Sequence, residues 1–298
     1  MSPGRVSALA AWALVLNAFV WGVSWYPFRV LEDAGLHALW STALIYGLCL
    51  AGLLIWRPSA WRHFGHTPQL WLLLIASGLT NVGFNWAVTV GDVVRVVLLF
   101  YLMPAWSVLL AWALLGERPT RNSLARLLLA LLGVMIVLKT PESPWPVPAS
   151  LPDGLALLGG FAFALTNILL LKLKDTAEEA RMVAMFGGGT VLAVLVGALG
   201  HAGGLVAWPP APAWGWVVLV LLTGVGFLLA NLGLQYGAAR LPAATTALVM
   251  LTEVVFASVS SVLLGAADLQ LRTQLGGTLI LLAALWAAQR GDDSTQSG

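Results

Sequence analysis

The stretch LLFYLMPAWSVLLAWALLGE, residues 98–117, decides the fold. As a helix it is long enough to cross a hydrocarbon core of ~30 Å, yet Pro104 stands near its centre. Proline has no amide proton and crowds the carbonyl four residues back, so the helix must break there. A second run, LVMLTEVVFASVSSVLLGA at residues 248–266, closes on the same Leu-Leu-Gly and carries Glu253 where the first carries Pro104. Backbone broken at mid-membrane is tolerated only where protein or a wet cavity satisfies it. Two such places in one chain point to an interior chamber.

Composition agrees with a chain built for lipid. Charged residues make up 9% of the 298 and apolar ones 59%, with a mean hydropathy of +0.88, against about a quarter charged in soluble domains. The net charge of +2 comes without a basic stripe, which excludes nucleic acid as a partner. The single cysteine, Cys49, allows no internal disulfide and no Cys-based metal cluster. The first apolar segment is too long for a signal-peptide core and lacks a cleavage site, so it reads as a span.

Ten apolar segments lie at about 6–30, 36–56, 70–90, 93–116, 124–138, 155–171, 182–199, 214–236, 243–264 and 275–288. None shows the period-2 alternation of barrel strands, so all are expected to be helices. With the N-terminus inside, eleven Lys and Arg fall in inner loops and four (Arg29, Arg95, Lys139, Arg272) in outer ones. The positive-inside bias therefore puts both termini in the cytoplasm of a multi-pass inner-membrane protein. The expected domains are a first five-helix repeat over 1–140, an outer Pro-rich linker over 141–153, a second five-helix repeat over 154–290 and a polar tail over 291–298.

The halves echo each other. Placing Pro104 over Glu253 sets Leu115 and Gly116 on Leu264 and Gly265, and NWAVTVG at 85–91 matches NLGLQYG at 231–237. Five spans per half oblige the second copy to enter the membrane from the opposite side. The fold class is thus an all-α integral membrane protein of ten transmembrane helices arranged as two inverted-topology repeats, a plan that points to a transporter.

LLFYLMP followed by LLGERPT, the echoing LLGA, and WGVSWY at residues 21–26 resemble the EamA family of the drug/metabolite transporter superfamily. The resemblance implies a ten-helix bundle with a central cavity, alternating access, and export of small metabolites. FYLMP and the aromatic-rich helices look most like the aromatic amino-acid exporters. The sequence departs from the family repeat at Glu253 and Ala266, where Pro and Glu are more usual.

Glu253 is the acidic residue deepest in a span, where a charge costs at least ~2.5 kcal/mol. It reads either as the receiver of a substrate ammonium or coupling proton, or as a protonated carboxyl bonded to a helix carbonyl or Thr252. The amides of Asn85, Asn167 and Asn231, with Asn81 and Gln235, can hold a carboxylate or amine, or staple helices together. Trp25 and Tyr101, beside Trp21, Ser24, Tyr26 and Trp106, are candidates to stack on a flat substrate or simply to pack. Substrate binding is thus assigned to Trp25, Asn85, Tyr101, Pro104, Asn167, Asn231 and Glu253. Asp92 and Arg95, three apart, form an outer pair able to gate or to serve as a plain surface ion pair. Glu117, Arg118 and Arg121 read as an inner turn. Gly187–Gly189 lack the Lys-Ser/Thr of a phosphate loop, and His63 with His66 lacks a third ligand. No cofactor is expected, the partners are a small-molecule solute and lipid, and Glu253 would suit proton coupling.

Among other readings, a drug or sugar exporter of the same class stays open. A nucleotide cargo calls for more central Lys or Arg. A membrane enzyme would cluster ionisable groups at one face, and a scaffold has no use for mirrored halves.

Overall fold

Amides in hydrocarbon must be paired within their own segment, and this chain meets the requirement with helix. A computed structural model describes residues 3–116, 119–138, 148–238, 240–241, 249–250, 252–266 and 270–290. The first half comprises α1 (Pro3–Val23), α2 (Trp25–Asp33), α3 (Ala38–Trp56), a 3-10 turn (Ala60–Gly65), α4 (Gln69–Val90), α5 (Val93–Phe100), α6 (Met103–Leu115) and α7 (Arg121–Leu138). The second comprises α8 (Leu151–Lys172), α9 (Glu178–Ala202), α10 (Trp214–Ala238), α11 (Thr252–Leu263) and α12 (Leu271–Arg290). Among the described residues seven segments are long and apolar enough to cross a membrane, two of them formed by α1 with α2 and by α5 with α6; Leu124–Val137 and Thr252–Leu263 are apolar but shorter. Most described residues of each expected segment are helical; Ser24, Leu36, His37, Tyr101, Leu102, Gly116 and Leu264 are not.

Two boundaries differ from the sequence reading. The first segment is two helices, parted at Ser24. The linker ends earlier than residue 153, because α8 starts at Leu151. Ser150 caps it by accepting from the Asp153 amide at 3.3 Å, and Pro152 fits the first turn, where its missing N–H costs nothing. A Ser-Leu-Pro-Asp helix start resembles loop by composition alone. Residues 139–147, Glu117, Arg118 and the tail 291–298 lie outside the described residues.

The two halves interlock. In each pairing below, a helix of one half and its partner exchange places with their counterparts: α4 packs on α8 as α10 packs on α1; α4 meets α9 as α10 meets α3; α5 and α6 meet α8 as α11 meets α1. The remaining major pairs, α7 with α12, α3 with α9 and α5 with α11, join counterparts directly. The repeat is also visible within helices: Pro104 of α6 and Glu253 of α11 stand at equal distances before the Leu-Gly steps 115–116 and 264–265. Both helices are followed by a left-handed glycine, Gly116 at φ 72° and Gly265 at φ 68°, a backbone state that costs a side-chain-bearing residue ~1 kcal/mol or more.

Small residues set the helix spacing. A Cβ on Gly188 of α9 would sit 2.1 Å from the Leu74 carbonyl of α4, and one on Gly78 would sit 2.5 Å from the Gly188 carbonyl. The glycine run at 187–189 is therefore a packing surface, as close-approach membrane helices require.

Candidate functional site

The site forms where two helices break. In the first segment the break is at Ser24, whose hydroxyl donates to the Trp21 carbonyl at 2.7 Å, while Pro27 withholds the amide that would pair with Val23. In the fourth, α5 stops at Phe100 and α6 starts at Met103. Pro104 has no amide to return to Phe100, and α8 closes on that carbonyl: a Cβ on Gly160 would lie 2.6 Å from the Phe100 oxygen. The break that residues 98–117 demanded is thus present, displaced to Tyr101–Leu102 just ahead of the proline.

Helix α11 lies against both breaks. The Tyr101 hydroxyl donates to Glu253 Oε2 at 3.3 Å. The Trp25 indole N–H donates to Ser260 Oγ at 3.0 Å, and Ser260 donates in turn to the Ala257 carbonyl at 3.2 Å. Gly22 lets α1 approach so closely that a Cβ there would be 2.7 Å from the Glu253 carbonyl. Tyr101 and Trp25 are buried at 4% and 3% exposure, and Glu253 is half-buried. Two of the expected residues, Tyr101 and Glu253, are therefore in contact, and a third, Trp25, is bonded to the same helix α11 at Ser260.

From this point a polar seam runs to one face. Ser260 is seven residues, or about 10 Å of helix, beyond Glu253. The Arg29 guanidinium stands 5.2 Å from the Trp25 ring centre and donates to the carbonyls of Val88 at 3.2 Å and of Gly91, at the C-terminus of α4. Above it opens a cleft of about 570 Å³ lined by Arg29, Glu32, Asp33, Thr89, Asp92 and Ala266, among others.

Asn85 belongs to a different cluster. It is fully buried and donates to Thr42 Oγ1 at 3.2 Å, while Thr42 has committed its own proton to the Ala38 carbonyl at 2.8 Å. That leaves Asn85 Oδ1 buried without a donor. Nearby, the Tyr46 hydroxyl donates to Asn81 Oδ1 at 2.7 Å, and Trp21 stacks on Phe227 at 4.5 Å. Asn231 is half-buried on α10. Asn167 shares a helix face with Gly160 and Phe163, which pack on Phe100, yet it is exposed. The side chains of Pro104 and Gln235 lie outside the described residues. Trp106 meets Phe161 edge-on at 5.6 Å, and Tyr26 is exposed.

The expected Asp92–Arg95 side-chain pair is replaced by another arrangement. Asp92 caps α5, accepting from the Arg95 amide at 2.8 Å. The Arg95 guanidinium instead grips Asp153 with both forks, Nε–Oδ1 at 2.7 Å and Nη2–Oδ2 at 2.9 Å. Spacing on one helix favoured Asp92, but a cap geometry turns that carboxylate toward the backbone and frees the guanidinium for α8. Ser260, Arg29 and Asp153 were missed by sequence reasoning. The isolated charges of Arg29 and Asp153 beside apolar runs were the available signal.

With this geometry in view, comparison with known proteins adds an independent line. Residues 8–139 match the profile of the EamA-like transporter family. The matched stretch is under half of the chain, and it is that stretch which is similar to the family. An uncharacterized transporter of Pseudomonas aeruginosa is 33% identical over 147 residues, 45% of this chain and 48% of its own length, so the chain spans about half of that relative. An uncharacterized transporter of Helicobacter pylori is 23% identical over 92% of this chain and 90% of its own. A solved protein structure superposes with a TM-score of 0.57 over 99% of both chains at 17% identity, a likeness of fold. The EamA-like signature covers α1 through α7, which hold Trp25, Asn85, Tyr101 and the broken segment at Pro104.

Proposed function

We propose that the chain is an inner-membrane transporter with both termini cytoplasmic, which exports small neutral metabolites, foremost aromatic amino acids, by alternating access. One observation carries the reading: beside two helix breaks, Tyr101 of the first half bonds Glu253 of the second, and Trp25 bonds Ser260 further along the same helix. Broken helices put unpaired carbonyls and amides at mid-depth, and a carboxylate beside them offers a place for an ammonium or a proton. Aromatic faces at the same place suit a flat apolar side group. The reciprocal helix pairing of the halves supports an inverted repeat of five plus five spans, with residues 1–140 and 154–290 as its units.

In this reading Glu253 holds the solute's ammonium or the coupling proton, with Tyr101 as its hydrogen-bond partner. Trp25 forms a wall. Asn85, whose carbonyl oxygen lacks a donor, accepts from the solute or an ordered water, and Asn231 and Asn167 line the path. The test is counterflow in liposomes holding only this protein, with labelled Trp, Phe, Tyr and aliphatic neutral amino acids. Saturable exchange of at least one is expected. Absence of saturable flux for all of them would defeat the substrate assignment.

A further inference from the structure

The cleft face of the molecule is tied together by charges that the transport reading does not use. Two half-helices, α2 and α5, stand on that face above the breaks at Ser24 and Tyr101–Leu102. Each is fastened to a neighbour by an arginine. Arg29 ties α2 to the C-terminus of α4 through the Val88 and Gly91 carbonyls. Arg95, on the first turn of α5, ties that helix to two others at once. Its guanidinium binds Asp153 of α8 bidentately and also donates to the Val137 carbonyl near the end of α7. Asp153 is 2% exposed and accepts further from the Ala149 amide at 3.3 Å.

We propose that the Arg95–Asp153 pair is the latch of the cleft-side gate: it holds α5 against α8 across the junction of the two halves, and parts when α5 swings about Tyr101–Leu102. Position argues for this use. The pair joins the last helix of the first half, the first helix of the second and the mobile half of the broken segment. An ion pair also suits a latch better than apolar packing, since separated partners on that face regain hydration from the adjoining cleft. A bidentate fork gives one defined closed geometry. Asp153 and Arg95 are thus positioning residues that set how the protein divides its time between two openings, and do not themselves touch solute.

The inference takes its purpose from the transporter reading, but its test reads the opening itself. Ala156, one turn along α8 from Asp153, is fully buried and belongs to the same core as Val93 and Val97 of α5. With Cys49 replaced by serine, Ala156→Cys is the reporter and Leu205→Cys, at an 85% exposed position, is the control. A membrane-impermeant thiol reagent is applied to protein in lipid nanodiscs, where both faces meet it. Asp153→Asn is expected to speed labelling of Ala156→Cys at least several-fold, and the exchanged pair Arg95→Asp with Asp153→Arg to slow it again, with Leu205→Cys unchanged throughout. Arg95→Lys, which keeps charge but loses the fork, is expected to give an intermediate rate. Unchanged labelling of Ala156→Cys in both Asp153→Asn and Arg95→Lys would overturn the latch. Faster labelling in a protein that moves no solute would uphold the latch and sink the transporter reading instead.

Discussion

A single carboxylate concentrates the chemistry. Glu253 lies on α11 at the place that Pro104 takes on α6, and its oxygen accepts a hydrogen bond from the Tyr101 hydroxyl. A hydrogen bond to a charged group contributes ~1.5–3 kcal/mol, so losing one that forms with bound solute costs roughly ten- to a hundredfold. Glu253→Gln keeps the size and removes the charge, and is expected to lower flux by that order. Wild-type flux at every pH would remove Glu253 from the mechanism. Tyr101→Phe loses only the donor and should reduce flux several-fold, read in the same counterflow assay. The sequence made Glu253 legible because a carboxylate within an apolar run has no bland default. It did not reveal Ser260, since serine in a membrane helix ordinarily bonds its own backbone; only the fold brings Trp25 to it.

Helices carry the next level of argument. The contact between α4 and α9 depends on Gly78 and Gly188, which place backbone on backbone. Gly188→Ala would force the helices apart, and overpacking of this kind costs about 1–3 kcal/mol. Thermal unfolding in detergent should show that loss, whereas Gly52→Ala, with nothing within 4 Å of its added methyl, should match or slightly exceed wild type. A second element-level device is the cap of α3. His37 Nδ1 accepts from the Leu39 amide at 3.2 Å, which requires a neutral ring. Burial lowers the His37 pKa from its ordinary 6.5, against the opposing pull of Glu32. Its contribution to stability is therefore full above about pH 6.5 and is lost as pH falls through the depressed value. The melting temperature should fall across that window, and His37→Asn, a cap that does not titrate, should flatten the fall. Helix positions were largely legible from apolar runs. The Ser24 break and the start of α8 were not, because composition counts residues and a break or cap is a matter of which amide finds a partner.

At the scale of the molecule, the all-helical membrane plan and the echo between halves were readable, because apolar runs mark helices and repetition leaves aligned glycines and matching helix ends. Gly116 and Gly265 are left-handed at matching positions, and helix pairs recur with the halves exchanged. What the sequence withheld was which residues meet across the halves. Asp92 and Arg95 were adjacent in sequence, whereas Arg95 and Asp153 are adjacent in space. Long-range pairing is set by helix tilt and spacing, and one unaligned sequence does not encode those locally.

The central claim is that one mid-depth chamber, walled by both halves, opens to each face in turn. Ser260, which accepts from the Trp25 indole N–H on the same helix as Glu253, is assigned to that chamber. The direct measurement uses Ser260→Cys in a Cys49→Ser background, in sealed vesicles of each orientation, with an impermeant thiol reagent supplied from outside. The account predicts modification in both orientations, at different rates. Modification from one face alone, or from neither, would contradict it.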